Sequence, residues 1–190
     1  AAFQQLPFVR RRAEASGVRL ATVGDLGAGD FLPDAPHDSY DVVIFCEILE
    51  HITFHPALFW KRVYEILKPG GLIFLSTPNS LRISNWVKAA LRLLTRRGVG
   101  ISMDEIFGHV TYGHHWKEYS SAELRDYFAR LSPDFQVTLR FVDPGLPRST
   151  AAAMLQWLGN PVPVLRPSLE AIVRLPRKER WLAQAKTYDE

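Results

Sequence analysis

Asp41-Val42-Val43-Ile44-Phe45-Cys46-Glu47-Ile48-Leu49-Glu50-His51-Ile52 is the stretch on which the reading of this chain turns. From Asp41 to Cys46 it is apolar and β-branched, and short enough to predict a buried strand. The pattern then switches without a break to a polar–apolar alternation that suits one helical turn. Glu47, Glu50 and His51 fall at i, i+3 and i+4, so such a turn presents all three on one face. Open α/β sheets place ligands at the carboxyl ends of their strands, where this acid-rich face would lie. The same residues also suit a solvated first turn whose acids complement the helix dipole.

On the amino-terminal side, residues 1–16 predict a helix with Phe3, Leu6, Val9 and Ala13 in phase, interrupted at Pro7 and stopped by Gly17. Val18 to Val23 predicts a strand, followed by Gly24-Asp-Leu-Gly-Ala-Gly29. Taken alone, that run looks like a glycine-rich nucleotide loop. Such a loop opens a long helix, whereas Pro33 and Pro36 occupy the space before Asp41 and leave no room for a crossover. A loop after a strand is the better reading. On the carboxyl-terminal side, a helix is expected from His55 to Leu67 with Pro56 in its first turn, closed by Lys68-Pro-Gly-Gly71. A buried strand is expected over Leu72–Ser76, with Thr77-Pro-Asn79 turning at its end. Leu81–Leu94 is amphipathic, residues 98–115 lack periodicity, and Ser120-Ser-Ala-Glu123 is a capping box opening a helix to Leu131. Strands over Phe135–Val142 and Leu169–Leu175 flank a short helix at Ala151–Leu158. Strands alternating with helices predict an α/β fold with a largely parallel sheet.

The 190 residues suit one domain with a substantial core. Composition is that of an ordinary globular protein, with 47% hydrophobic and 23% charged residues. The net charge of +3 is mild and gathers around Arg166, Arg174, Arg177, Lys178 and Arg180, where a solvated tail accounts for it. Without a dense basic stripe, nucleic acid is a poor candidate partner. The single cysteine, Cys46, excludes an internal disulfide and fits a reducing cytoplasm. No run reaches the length of a membrane span, and no signal-peptide pattern opens the chain. The first residue is Ala1 rather than Met, so the chain reads as part of a longer protein.

Two runs, Tyr40-Asp-Val-Val-Ile-Phe-Cys-Glu-Ile-Leu-Glu-His51 and Leu67-Lys-Pro-Gly-Gly-Leu-Ile-Phe-Leu-Ser-Thr-Pro-Asn79, occur in this order with one helix between them. They resemble the fourth strand and the turn into the fifth strand of class I S-adenosylmethionine-dependent methyltransferases. Gly113-His-His-Trp-Lys-Glu-Tyr-Ser-Ser-Ala-Glu-Leu124 is similar to a His-bearing loop and helix of bacterial members, some from glycan-modifying pathways. The resemblance runs from Val18 to Val142 and implies a Rossmann-like sheet with helices on both faces. It assigns Gly24, Asp25 and Leu26 to the adenine end of S-adenosylmethionine, and Cys46 and Glu47 to its methionine end. Asp25 also suits a plain turn residue. The family's first strand with its glycine-rich loop and the acid ending its second strand have no counterpart here. The expectation is therefore a single, partial methyltransferase domain over residues 1–190.

Glu-x-x-Glu-His followed by a loop His also resembles the divalent-metal site of small-RNA terminal 2′-O-methyltransferases and ubiquinone-pathway O-methyltransferases. The resemblance implies Glu47, Glu50, His51 and His115 as ligands of Mg²⁺ or Mn²⁺, with His114 as alternative to His115. Mixed carboxylate and imidazole donors suit Mn²⁺ or Fe²⁺ better than Ca²⁺. Two other readings stand beside it. His51 or His115 acts as a metal-free general base on a substrate hydroxyl, or His51 merely caps its turn while His109, His114 and His115 are loop residues. Residues 80–119 form the acceptor-side lid in this family. Trp86, Tyr112, Trp116 and several arginines there suit a sugar, a phenol or an anionic lipid carrier, with simple packing the better reading for Trp86. The expected activity is methyl transfer to a hydroxyl of a small molecule or glycan. The alternatives are a degenerate partner or regulatory subunit, an RNA 2′-O-methyltransferase, and a dehydrogenase using Gly27 and Gly29.

Overall fold

The computed structural model describes residues 6–21, 24–96, 100, 103–108, 115–145 and 149–185. Helix α1 spans Pro7–Ala15, with Pro7 in its first turn rather than interrupting it, and Gly17 at φ +66° follows its end. The strand expected over Val18–Val23 is not formed at residues 18–21; positions 22 and 23 lie outside the described residues. Strand β1 is Tyr40–Cys46, helix α2 is Pro56–Ile66 and strand β2 is Leu67–Pro78. Helices α3 (Ile83–Leu94), α4 (Met103–Gly108) and α5 (Ser121–Leu131) follow. Strand β3 (Gln136–Val142), helix α6 (Thr150–Gly159) and strand β4 (Ser168–Leu175) complete the order.

The four strands form one sheet in the order β1-β2-β4-β3. β1 and β2 pair in parallel, and β4 is inserted antiparallel between β2 and β3. β1, β2 and β3 thus share one direction, and the expectation of a largely parallel sheet is corrected at β4, whose two pairings are both antiparallel. The run Lys68-Pro-Gly-Gly71 belongs to β2 instead of merely ending α2. Leu67 pairs with Tyr40 and Leu72 with Val42, so Lys68 to Gly71 bulge out opposite Asp41. Gly70 takes φ +85° in that bulge, and the Lys68 ammonium spans it to Asp41 at 2.7 Å.

Period-two burial marks one face of the sheet as the core face. Phe45, Ile73, Leu75, Leu169, Ala171 and Val173 are buried on it, against Phe59, Trp60 and Val63 of α2 and Leu124 and Phe128 of α5. Trp60 is fully buried, meets Phe45 and Phe128 edge-on, and donates its indole N–H to the Tyr127 hydroxyl at 2.7 Å. The capping box at Ser120 forms as the sequence predicts. Among the described residues β1 is an edge strand, and Val42 and Ile44 on its other face are exposed.

After β4 the chain returns across the corner between α5 and β3. Asp134, buried there, accepts hydrogen bonds from the Tyr64 hydroxyl and from the backbone amides of Glu179 and Arg180 at 2.6 to 2.9 Å. Arg62 on α2 donates to the carbonyls of Phe31, Leu32, Pro33 and Ala35, which fixes the loop ahead of β1.

Candidate active site

The carboxyl ends of β1 and β2 bring together residues far apart in sequence. Strand β1 ends at Cys46, and Glu47 turns the chain with φ +53°. A non-glycine residue in this region costs about 1–2 kcal/mol, and such outliers gather where function constrains the backbone. The amide of Glu47 donates to the Ser76 carbonyl and its carboxylate accepts from the Ser76 hydroxyl, both at 2.8 Å. Only at Leu49 does a single 3₁₀ turn begin, ending at His51. Glu47 therefore does not share a helical face with Glu50 and His51, because its left-handed backbone breaks the turn that their spacing suggested.

Glu50 is buried, with 1% of its surface exposed. One carboxylate oxygen, Oε2, accepts from the Thr77 hydroxyl of β2 at 2.9 Å. The other, Oε1, is buried without a hydrogen-bond donor and lies 4.0 Å from His51 Nε2. Burial pushes the Glu50 carboxyl above the usual carboxylate range. The Thr77 hydroxyl, the backbone and nearby His115 oppose the rise, and the negative charge of Glu47 adds to it.

His115 arrives from the segment before α5. The backbone carbonyl of Glu50 accepts from the amides of Trp116 at 2.6 Å and Lys117 at 3.3 Å, which pins that segment to the 3₁₀ turn. Tyr119 bridges to Asn79 just beyond β2 and secures the far side. The His51 and His115 rings meet edge-on with centroids 5.0 Å apart. One atom each from Glu50, His51 and His115 lies within 4.8 Å of the other two. Glu47 is outside that group. His109, His114 and Tyr112 lie outside the described residues.

Glu118 is a component that sequence reasoning missed. Its Oε1 meets His115 Nδ1 at 3.1 Å and accepts from Arg82 at 2.6 Å, while Oε2 accepts from the Asn85 amide at 2.7 Å. With Nδ1–H directed to this carboxylate, Nε2 becomes the lone-pair nitrogen of His115, a tautomer that suits a base or a ligand. The signal was present in His-x-x-Glu, but nothing local marks Glu118 as the meeting point of α3 and the His115 segment.

The residues assigned to S-adenosylmethionine are placed unequally. Asp25 Oδ1 accepts from the amides of Gly27 and Ala28 at 2.8 and 3.4 Å, which makes it the turn residue of its own loop. A Cβ on Gly24 would collide with the Asp30 carbonyl oxygen, and Gly29, at φ +73°, lies against the Leu58 backbone. These glycines accommodate the chain itself, and Leu26 packs against the core. Cys46 and the exposed Glu47, by contrast, stand at the open carboxyl end of β1. An accessible carboxylate thus stands at the end of β1, while the glycines of residues 24–29 are packed against their own chain.

A mixed sheet flanked by helices, with polar side chains gathered at the carboxyl ends of its parallel strands, defines a Rossmann-like methyltransferase fold. The family model for the methyltransferase domain matches residues 25–138, and the chain belongs to that family of S-adenosylmethionine-dependent class I enzymes. A putative methyltransferase from Haloferax volcanii, solved in complex with the Trm112 methyltransferase activator, shares the fold. Its TM-score is 0.50 at 17% identity, over 90% of this chain and 69% of that one. The CurJ carbon methyltransferase does so with a TM-score of 0.51 at 14% identity, over 88% of this chain and 38% of that one. The mouse mitochondrial ubiquinone biosynthesis O-methyltransferase is 31% identical over 91 residues, which is 47% of this chain and 21% of that protein. A ubiquinone biosynthesis O-methyltransferase of Cereibacter sphaeroides is 36% identical over 83 residues, 42% of this chain and 30% of that protein. The chain thus aligns with less than a third of either relative's length.

Proposed function

We propose that this chain forms the acceptor-side part of an S-adenosylmethionine-dependent O-methyltransferase acting on a hydroxyl of a small molecule or glycan. In this reading Glu50, His51 and His115 hold a divalent cation, Mn²⁺ or Mg²⁺. The observation that carries it is the buried Glu50 Oε1, which accepts no hydrogen bond yet lies among two imidazoles. A buried carboxylate without a donor is costly, and a bound cation would both satisfy it and favour its ionised form. One carboxylate with two imidazoles is a donor set of the right hardness for Mn²⁺.

S-adenosylmethionine supplies the electrophilic methyl group, and a cation of this kind lowers the pKa of a hydroxyl bound to it. The protein's own contribution is placement and proton management. Glu118 orients His115, the Thr77 hydroxyl fixes Glu50, and Cys46 and Glu47 offer the methionine end of the cofactor a carboxylate at the end of β1. The relatives named for ubiquinone biosynthesis support oxygen as the accepting atom. The unpaired Cys46 supports work in a reducing compartment such as the cytoplasm.

A second reading is a non-catalytic relative that serves as a partner subunit, favoured by the glycine loop that packs against its own chain. Calorimetric titration of Mn²⁺ and, separately, of S-adenosylhomocysteine into the protein decides between them. Binding of Mn²⁺ that is lost in His51→Ala and His115→Ala supports the metal-assisted enzyme. Binding of S-adenosylhomocysteine without Mn²⁺ leaves His115 as a metal-free base. Binding of neither moves the partner-subunit reading to the front.

A further inference from the structure

Helix α3 is amphipathic, yet none of its residues is buried against the rest of the protein. Trp86, Ala90, Leu93 and Leu94 follow i, i+4, i+7 and i+8 and so form one stripe. On that stripe Leu93 is 77% and Leu94 80% exposed, and Trp86 is also exposed. Helices of this length depend on burying their apolar face for most of their stability, and among the described residues nothing buries the Trp86–Leu94 stripe. Helix α6 packs beside it, with Ile83 against Gly159, and adds exposed Met154 and Trp157.

Charge identifies the partner. Residues 80–103 contain Arg82, Lys88, Arg92, Arg96 and Arg97 and no acid, and residues 149–165 contain no charged side chain. Among the described residues, the carboxylates bonded to these two helices are already engaged. Glu118 is held by Arg82 and Asn85, and Asp143 by Gln156 and Asn160. An apolar stripe with tryptophan, on a helix whose opposite face carries Lys88 and Arg92 and no acid, is the composition of a helix that lies in the headgroup layer of an anionic bilayer. No described helix is long and apolar enough to cross a membrane. We infer that the α3–α6 surface docks the protein peripherally on an anionic lipid surface. The docking helix is tied to the site, because Arg82 and Asn85 at its start bond the carboxylate that orients His115.

The test is co-sedimentation of the protein with phosphatidylcholine vesicles and with vesicles containing phosphatidylglycerol. It reads binding alone and is independent of any methyl transfer. Association is expected with the anionic vesicles only, falling as salt is raised. Lys88→Glu should weaken it at least about fivefold. The Leu93→Glu, Leu94→Glu pair should abolish it, and both leucines are exposed enough for circular dichroism and melting to stay unchanged. Equal sedimentation of wild type and the double variant, or none with any vesicle, overturns the proposal. So does light scattering that shows a dimer dissolved by the same double variant, since the stripe would then face a second copy.

Discussion

Glu50 combines two properties that pull in opposite directions. Burial favours its neutral form, while work as a ligand or a proton acceptor requires the ionised one. Because its folded-state pKa is raised, the protonated form stabilises the fold fully below the unfolded value near 4.5, and that contribution is lost as pH rises through the raised value. Glu50→Gln keeps an acceptor for Thr77 and removes the charge. The melting temperature of this variant should rise relative to wild type with increasing pH, while methyl transfer falls roughly 100-fold. Mn²⁺ should raise the melting temperature of wild type and not of the variant. Glu118→Gln tests the positioning role. It should lower metal affinity or turnover roughly 10- to 100-fold, and scanning calorimetry in parallel should show the fold retained. Spacing suggested Glu47, Glu50 and His51, and the resemblance to a family metal site added His115; of these four the structure gathers Glu50, His51 and His115. The left-handed Glu47 and the burial of Glu50 were not visible in one dimension, since both follow from how β1 meets Ser76 and Thr77 of β2.

The ends of the elements were legible where a side chain sets them. Pro56 opens α2, and the capping box opens α5 at Ser120. The bulge in β2 was not, because Pro69-Gly70-Gly71 looks the same whether it terminates a helix or swings out of a ladder. The corner held by Asp134 was equally silent, since its partners lie some 45 and 70 residues away in the chain. Burial alone would push its carboxyl up, but the hydrogen bonds from Arg180, Tyr64, Glu179 and Ser132 outweigh this and hold it below 3.8. A depressed carboxyl stabilises the fold fully above its unfolded value, and this contribution is lost as pH falls through the folded one. Asp134→Asn should therefore destabilise the protein by about 1.5–3 kcal/mol at neutral pH, with a smaller difference in acid, as urea unfolding at several pH values would show. Tyr64→Phe removes one of the same bonds and should cost about 1 kcal/mol.

For the molecule as a whole, alternating helices and strands identified the class but not the direction of the strands. The period-two patterns of β3 and β4 are the same for parallel and antiparallel neighbours. Only the long return through α6, which inserts β4 between β2 and β3, settles the order. One result of that order is the open side of β1, where Ile44 is 72% exposed beside half-paired backbone. Such an edge is a template for strand addition by any extended apolar segment. Concentrated, salted solutions of this chain should accordingly turn cloudy and bind thioflavin before the buried core has melted. Ile44→Lys places a gatekeeper charge on the edge and should delay that clouding without lowering the melting temperature. Shelf life in solution is thus set by one β-branched strand, independently of the forces that hold the fold.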